Sequence, residues 1–305
     1  MGGFLIRRLI VTLLVVVVTA MISFSLVHLS GDPAVAIAGE KASAAEIDQI
    51  RKLYGFDRPF HEQFLAWAGK VANGDLGRST YLKENVGTVL ARHIPITALL
   101  GVLSLLFALM VAVPLGVVAA LRPNTMIDRA ALVLAVAGQA MPSFLSALAL
   151  IYGFGVALRW LPVSGNGSLV HFILPSVALG YYAAPAIMRL TRSGMLDVLQ
   201  SDHVRTARAY GLPAWRVVVR HALRHAAIPV VSLAAVQFGY MLGGSVVVES
   251  VFSMNGIGNL AWLSIRRYDI EVIQAILLVI ACTYAVLTLA ADLLNATLDP
   301  RIRSR

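Results

Sequence analysis

Residues 93–121 read HIPITALLGVLSLLFALMVAVPLGVVAAL, 29 residues without an Asp, Glu, Lys or Arg, closed by Arg92 on one side and Arg122 on the other. Wound as an α-helix at about 1.5 Å per residue, this run exceeds the roughly 30 Å hydrocarbon core of a bilayer. An amphipathic helix of a soluble domain would show a charged face, and a barrel strand would alternate polar and apolar residues with period two. Neither pattern is present, so the solvent for this segment is lipid. Composition agrees: of 305 residues 58% are hydrophobic and 13% charged, where a soluble domain carries about 25% charged residues. The mean hydropathy is +0.78.

The same test finds charge-free windows at 9–31, 130–158, 160–188, 225–248 and 272–291. Each can cross a membrane, which predicts an all-α polytopic membrane protein with six transmembrane helices. Pro114, Pro142, Pro175 and Pro185 fall inside these windows; membrane helices tolerate proline where neighbours satisfy the freed backbone groups. The first window follows Arg7 and Arg8 and runs 23 residues. A signal peptide's apolar core is about 7–15 residues, so this one reads as a retained span. The expected organisation is an N-terminus and first helix over 1–28, an outer segment over 29–95, a permeation core over 96–295 and a short tail over 296–305.

Orientation follows from Lys and Arg in the short loops. One side carries Arg7, Arg8, Arg122, Arg129, Arg189, Arg192, Arg205, Arg208, Arg216, Arg220, Arg224, Arg301, Arg303 and Arg305. The other has Arg159, Arg266 and Arg267 in its short loops. Both termini and the 189–228 segment are therefore expected in the cytoplasm. The 29–92 loop is too long to be governed by its charges, and its acids balance its bases; it lies outside.

The outer segment has helical punctuation. Ser43 precedes Glu46 by three residues, a capping-box spacing, and Gly55 is a stop signal. A second short helix begins at Pro59, and NGDLGRS at 73–79 is a turn-rich connection. The cytoplasmic segment reads as two short helices. Ser201 or Asp202 caps the first; Val204, Ala207 and Tyr210 share a face; Gly211 suits a left-handed C-cap. Pro213 opens the second, with Val217, Val218, Ala222 and Leu223 on its apolar side and Arg216, Arg220 and Arg224 in a row. Two readings of the basic residues stay open: attraction to anionic lipid, and a docking surface for a partner, which the small, alanine-rich face at 202–212 favours.

Several functions are excluded or lack support. No GxxxxGK[ST] loop exists, so the chain itself is not expected to bind ATP. HEQFL at 61–65 lacks the second His of a zinc protease helix, and no GxSG motif supports a serine protease in the membrane. Cys282, the single cysteine, allows no internal disulfide and no Cys-based metal site. The six windows hold no ionisable carboxylate or strong base of the kind that ion-coupled transporters keep at membrane depth. The net charge of +9 sits in the cytoplasmic loops and does not indicate nucleic acid. Neutral polar and small residues remain within the spans, and Gln139, Ser143, Gln237, Tyr240 and Gly243 are candidates to line an uncharged pathway. A pump built this way needs energy from another subunit; a stand-alone channel would not, but it leaves the 202–212 segment without a purpose.

At this segment the chain resembles the permease subunits of bacterial ABC importers of the dipeptide/oligopeptide class. Their cytoplasmic loop has the consensus E-A-A, three residues, G. Here RTARAYG stands in that place, with Arg205 for the Glu and Thr206 for the first Ala, followed by AAIPV with Ile228 and Pro229. Other segments are similar to this class: SGDPA at 30–34, YGFDRPF at 54–60, GDLGRS at 74–79, LTRSGMLDVL at 190–199, VVVESVFSMNGIGNL at 246–260 and LDPRIR at 298–303. The resemblance implies the type I importer permease fold in the bacterial inner membrane, with a second homologous permease, two ATPase subunits that bind ATP and Mg, and an external binding protein. It implies that Asp202, Arg205, Thr206, Ala207, Arg208, Ala209, Tyr210, Gly211 and Leu212 form the coupling helix. It implies no cofactor on this chain, and as solute a di- or oligopeptide, with nickel, glutathione or another small solute as the alternative.

Overall fold

The computed structural model describes residues 2–29, 32–39 and 42–298. In chain order its helices are α1 (Gly2–Leu29), α2 (Pro33–Ala38), α3 (Ala44–Tyr54), α4 (Phe60–Ala72), α5 (Val86–Leu121), α6 (Met126–Ala140), α7 (Ser143–Leu150), α8 (Ile173–Leu199), α9 (Asp202–Ala209), α10 (Ala214–Arg216), α11 (Leu223–Val251), α12 (Ile257–Arg266) and α13 (Ile270–Leu298). π-helical turns follow α7 over Ile151–Ala157 and α10 over Val217–Ala222, and a 3-10 turn over Leu169–Phe172 leads into α8. The described residues contain no strand; one isolated bridge joins Arg78 and Asn85. The LDPRIR segment beyond Leu298, including Arg301, Arg303 and Arg305, lies outside the described residues, as do Ser30 and Gly31.

Among the described residues, five helical stretches are long and apolar enough to cross a membrane: Ile6–Ser25, Val86–Leu121, Leu169–Leu199, Ala214–Val251 and Ile270–Leu294. The sixth window, 130–158, is not one helix. It breaks between α6 and α7, where Met141 is extended (φ −89°, ψ 123°) and Pro142 has ψ 140°. Proline has no N–H to continue the ladder and its ring disfavours helical backbone in the preceding residue. The second half, Ser143–Ala157, is a shorter apolar helix. The 160–188 window is displaced too: Gly165, at φ +93°, sits in an irregular segment, and the helix begins at Leu169. The second cytoplasmic helix expected after Pro213 is not separate. It runs through its π-helical turn into α11, a stretch of 38 residues.

The chain divides into two compact units, 1–95 with 259–286, and 96–258 with 287–305. In the first, the capping box forms as the sequence predicts: Ser43 Oγ accepts from the Glu46 N–H while Glu46 accepts from the Ser43 N–H. Gly55 closes α3 in the left-handed region at φ +73°. The Ser43 N–H holds the Glu46 carboxyl below its usual range. An ion pair from Arg51 to Asp32 ties α3 to the start of α2 and lowers the Asp32 pKa. Phe24 of α1 is buried with its ring 5.3 Å from Phe60, 5.6 Å from Phe64 and 5.5 Å from Trp67, centroid to centroid. Asp269 is buried and accepts from the Ser79 hydroxyl and from the N–H groups of Thr80 and Tyr81 at 3.2 and 3.3 Å.

The second unit is built on α8, whose inward residues from Leu174 to Met195 are buried. Small residues let α5 lie against it. A Cβ added to Gly180 would stand 2.3 Å from the Ser104 carbonyl oxygen, and one added to Gly116 would stand 2.8 Å from that of Met188. Such close backbone approach between membrane helices is what small residues permit. Thr97, Leu100, Gly101, Ser104, Ala108, Ala112, Gly116, Ala119 and Ala120 are the buried positions of α5 in this unit, a stripe at helical spacing.

Candidate functional site

The 202–212 segment folds as a short helix with a made-to-measure end. Ser201 occupies the N-cap position (φ −73°, ψ 154°), but its hydroxyl donates backwards to the Val198 carbonyl instead of capping. Thr206 donates to the Asp202 carbonyl at 2.9 Å. At the far end Gly211 has φ +73°, the Gly211 N–H bonds the Arg208 carbonyl at 2.9 Å and the Leu212 N–H bonds the Ala207 carbonyl at 3.4 Å. That double closure around a left-handed residue is the Schellman motif, which favours glycine.

Val204 is fully buried and Ala207 nearly so; they pack with Ala120, Met195, Val217, Ala222 and Ala226, and Leu212 covers the edge of the cluster. The segment is thus seated on the ends of α5 and α8 and on the run into α11. Asp202, Arg205, Thr206, Arg208 and Ala209 are exposed. Tyr210, expected on the buried face with Val204 and Ala207, is 83% exposed: the helix ends at Ala209, and the turn toward Gly211 swings residue 210 off its stripe. Arg205 lies 3.2 Å from Asp202 in a fully solvated pair. Trp215 is also exposed, its ring 5.4 Å from the Arg216 guanidinium. The outcome is a short knob, apolar below and basic-aromatic above.

Two polar anchors beside it gave no signal in the sequence. Arg192 of α8 forms a bidentate pair with Asp128 at the start of α6, at 2.6 and 2.7 Å, and Asp128 also accepts from the Asn124 N–H. The Arg192 guanidinium and that N–H hold the Asp128 carboxyl below its usual range. Arg189 donates to Gln139 at 3.1 Å.

The candidate pathway residues are not gathered into one pocket. Gln139 is committed to Arg189, and Ser143 is half-buried across the α6–α7 break. Gln237, Tyr240 and Gly243 lie close together along α11: Gln237 is half-buried, Tyr240 is 67% exposed, and a Cβ on Gly243 would meet nothing within 4 Å. Three of the five candidates therefore share one stretch of α11, open at Gly243. Sequence reasoning also missed Glu249, which is fully buried. It stands one residue past the 225–248 window, and α11 runs on to include it. Among the described residues no cluster of His, Cys, Asp or Glu could hold a metal ion.

Comparison with known proteins places this geometry. Residues 112–304 match the family described as binding-protein-dependent transport system inner membrane component, and residues 1–101 match that family's N-terminal component. The glutathione transport system permease protein GsiC of Escherichia coli O6:H1 is 38% identical over 304 residues, covering 99% of each chain. Its counterpart in Salmonella choleraesuis is 39% identical with the same coverage. Among solved structures, the MetNI methionine ABC transporter in an inward-facing form aligns with a TM-score of 0.59 at 19% identity, over 69% of this chain and 96% of that one. The chain belongs to the binding-protein-dependent transport system inner membrane component family: it is a multi-pass permease subunit of an ABC importer.

Proposed function

We propose that this permease passes short peptides inward across the bacterial cytoplasmic membrane, with glutathione, itself a tripeptide, as the favoured solute. The observation that carries the reading is likeness along the whole length to permeases named for glutathione transport, 38–39% identical over 99% of both chains. The resemblance of 202–212 to the dipeptide/oligopeptide class supports the wider peptide range.

In this reading a second permease completes the pathway, and two ATPase subunits bind ATP and its Mg on the cytoplasmic side. An external binding protein delivers the solute. The arginine distribution supports a cytoplasmic side for both termini and α9. The α9 knob enters a cleft in an ATPase through Arg205, Arg208, Ala209 and Tyr210. ATP binding closes the ATPases and biases a two-state equilibrium of the spans. The displacement reaches them because Val204 and Ala207 are packed against α8 and the run into α11, so the knob cannot move without its floor. The α2–α4 helices and the turn at 252–258 face the binding protein. Gln237, Tyr240 and Gly243 offer the solute a surface without fixed charge. The chain makes and breaks no bond in the solute.

The test is mild-detergent purification of the tagged chain from its native membrane, followed by calorimetry on the binding protein that accompanies it. The expected outcome is a second six-span permease and Walker-bearing ATPases in the complex, and a binding protein that takes glutathione in preference to a dipeptide or Ni²⁺. A chain that purifies alone after cross-linking would overturn the importer assignment. A binding protein that ignores glutathione and takes dipeptides would overturn the solute.

A further inference from the structure

We infer that Glu249 is a positioning residue that makes the 252–258 turn rigid, so that docking of the binding protein on this turn is felt by α11. The inference rests on the proposed function. Glu249 is fully buried, two residues before the end of α11, among Val248, Phe252 and Met254, each 0–1% exposed. An ionised carboxylate in such surroundings costs several kcal/mol unless donors compensate it. They are at hand. The Thr97 hydroxyl, itself buried, donates to Glu249 Oε1 at 2.7 Å. The same oxygen of Thr97 accepts from the Ile257 N–H at 2.7 Å. Ile257 opens α12, and its N–H is one of those a helix start leaves without an internal acceptor. Negative charge is favourable at that end of a helix. One carboxylate and one hydroxyl thus serve the entry of α12 from outside it.

The turn has been cut to admit this carboxylate. A Cβ on Gly256 would stand 2.5 Å from Glu249 Cδ and Oε2 and 2.5 Å from Thr97 Oγ1. One on Gly258 would stand 2.9 Å from Oε2 and 2.6 Å from the Val246 Cα. Both positions exclude any side chain. The rest of the turn is tied down by its backbone. The Met254 N–H reaches the Glu249 carbonyl at 2.8 Å, and the Phe252 carbonyl accepts from Gly165 at 2.8 Å. Asn166 accepts from the Asn255 N–H at 3.4 Å. The turn is therefore fixed to α11, to α5 through Thr97 and to the 165–166 segment, with Glu249 at the junction. An apolar residue at 249 would fill the space more cheaply but would leave the buried Thr97 hydroxyl, on which the Ile257 N–H rests, without the acceptor that orients it. The carboxylate serves geometry that packing alone does not supply.

The experiment uses the assembled complex in proteoliposomes with its binding protein, and measures ATP hydrolysis with and without that protein. Glu249→Ala and Thr97→Val should leave assembly and basal hydrolysis unchanged. Stimulation by the binding protein should fall about tenfold, the effect of losing one buried hydrogen bond. Glu249→Gln, which keeps an acceptor for Thr97, should recover most of it. A lesion that is only structural would lower basal and stimulated rates together, and that result would overturn the inference. So would full stimulation of Glu249→Ala. A wild-type complex that no binding protein stimulates would overturn the proposed function along with it.

Discussion

Val204→Ala tests the seat of the α9 knob without touching the surface proposed to meet an ATPase. Val204 is fully buried in a cluster with Met195, Ala207, Val217, Ala222 and Ala226. The change removes two methyl groups, about 1.6 kcal/mol at roughly 0.8 kcal/mol per buried carbon. The neighbours are mainly alanines fixed to helices, so the space stays partly open and the total rises to about 2 kcal/mol. Converted at about 1.4 kcal/mol per tenfold, that is a shift of roughly 30-fold between seated and released α9. Amide hydrogen exchange of the reconstituted complex reads this directly, because the N–H groups of Arg205, Tyr210, Gly211 and Leu212 close the helix and its end. They should exchange roughly 30-fold faster while α8 keeps its protection. ATP-driven uptake should fall with them. Unchanged exchange at 205–212 would refute the claim that Val204 holds the knob. Faster exchange with undiminished uptake would refute the claim that a seated knob transmits motion.

Gly180→Ala should lower the detergent melting temperature by the equivalent of about 1–3 kcal/mol, since its Cβ would overlap the Ser104 carbonyl and force α5 from α8. Gly153→Ala, which meets nothing within 4 Å, is the matched control. Ser43→Ala removes the capping box and should cost α3 about 1 kcal/mol, seen as loss of exchange protection confined to 44–54. The Asp128 carboxyl is held low by Arg192, so its stabilising effect is complete above its unfolded pKa of about 3.9 and is lost as pH falls through the lower folded value. Asp128→Asn should therefore melt earlier than wild type near neutrality, the gap narrowing as the pH falls below the ordinary carboxylate range. Tyr240→Ala, on the open stretch of α11, should raise the KM for uptake more than it lowers basal ATP hydrolysis.

The lipid-facing architecture was legible because absence of charge over twenty or more residues has one physical meaning, as in 93–121. Local endings were legible too: Ser43, Gly55 and Gly211 act through their own backbone and nearest neighbours. Windows failed where geometry depends on one bond within an apolar run. Pro142 splits 130–158, yet Pro185 and Pro229 stay inside continuous helices, and composition does not distinguish them. The buried face of α9 was half legible. Spacing identified Val204 and Ala207, but Tyr210 follows the left-handed turn and leaves the stripe. The Asp128–Arg192 pair, 64 residues apart, and the Thr97–Glu249 contact, 152 apart, could not be read from local pattern. Each partner looks alone like a loop charge or a stray hydroxyl.

The central claim is that this chain is the membrane path of an ATP-driven importer of short peptides. Proteoliposomes containing the chain, its partner permease and ATPases, with ATP sealed inside and binding protein outside, test it with labelled glutathione. Glutathione should accumulate above its external concentration only with both ATP and binding protein, and accumulation should stop when Ala207→Arg unseats α9. Equilibration without ATP, or uptake indifferent to the binding protein, would contradict it.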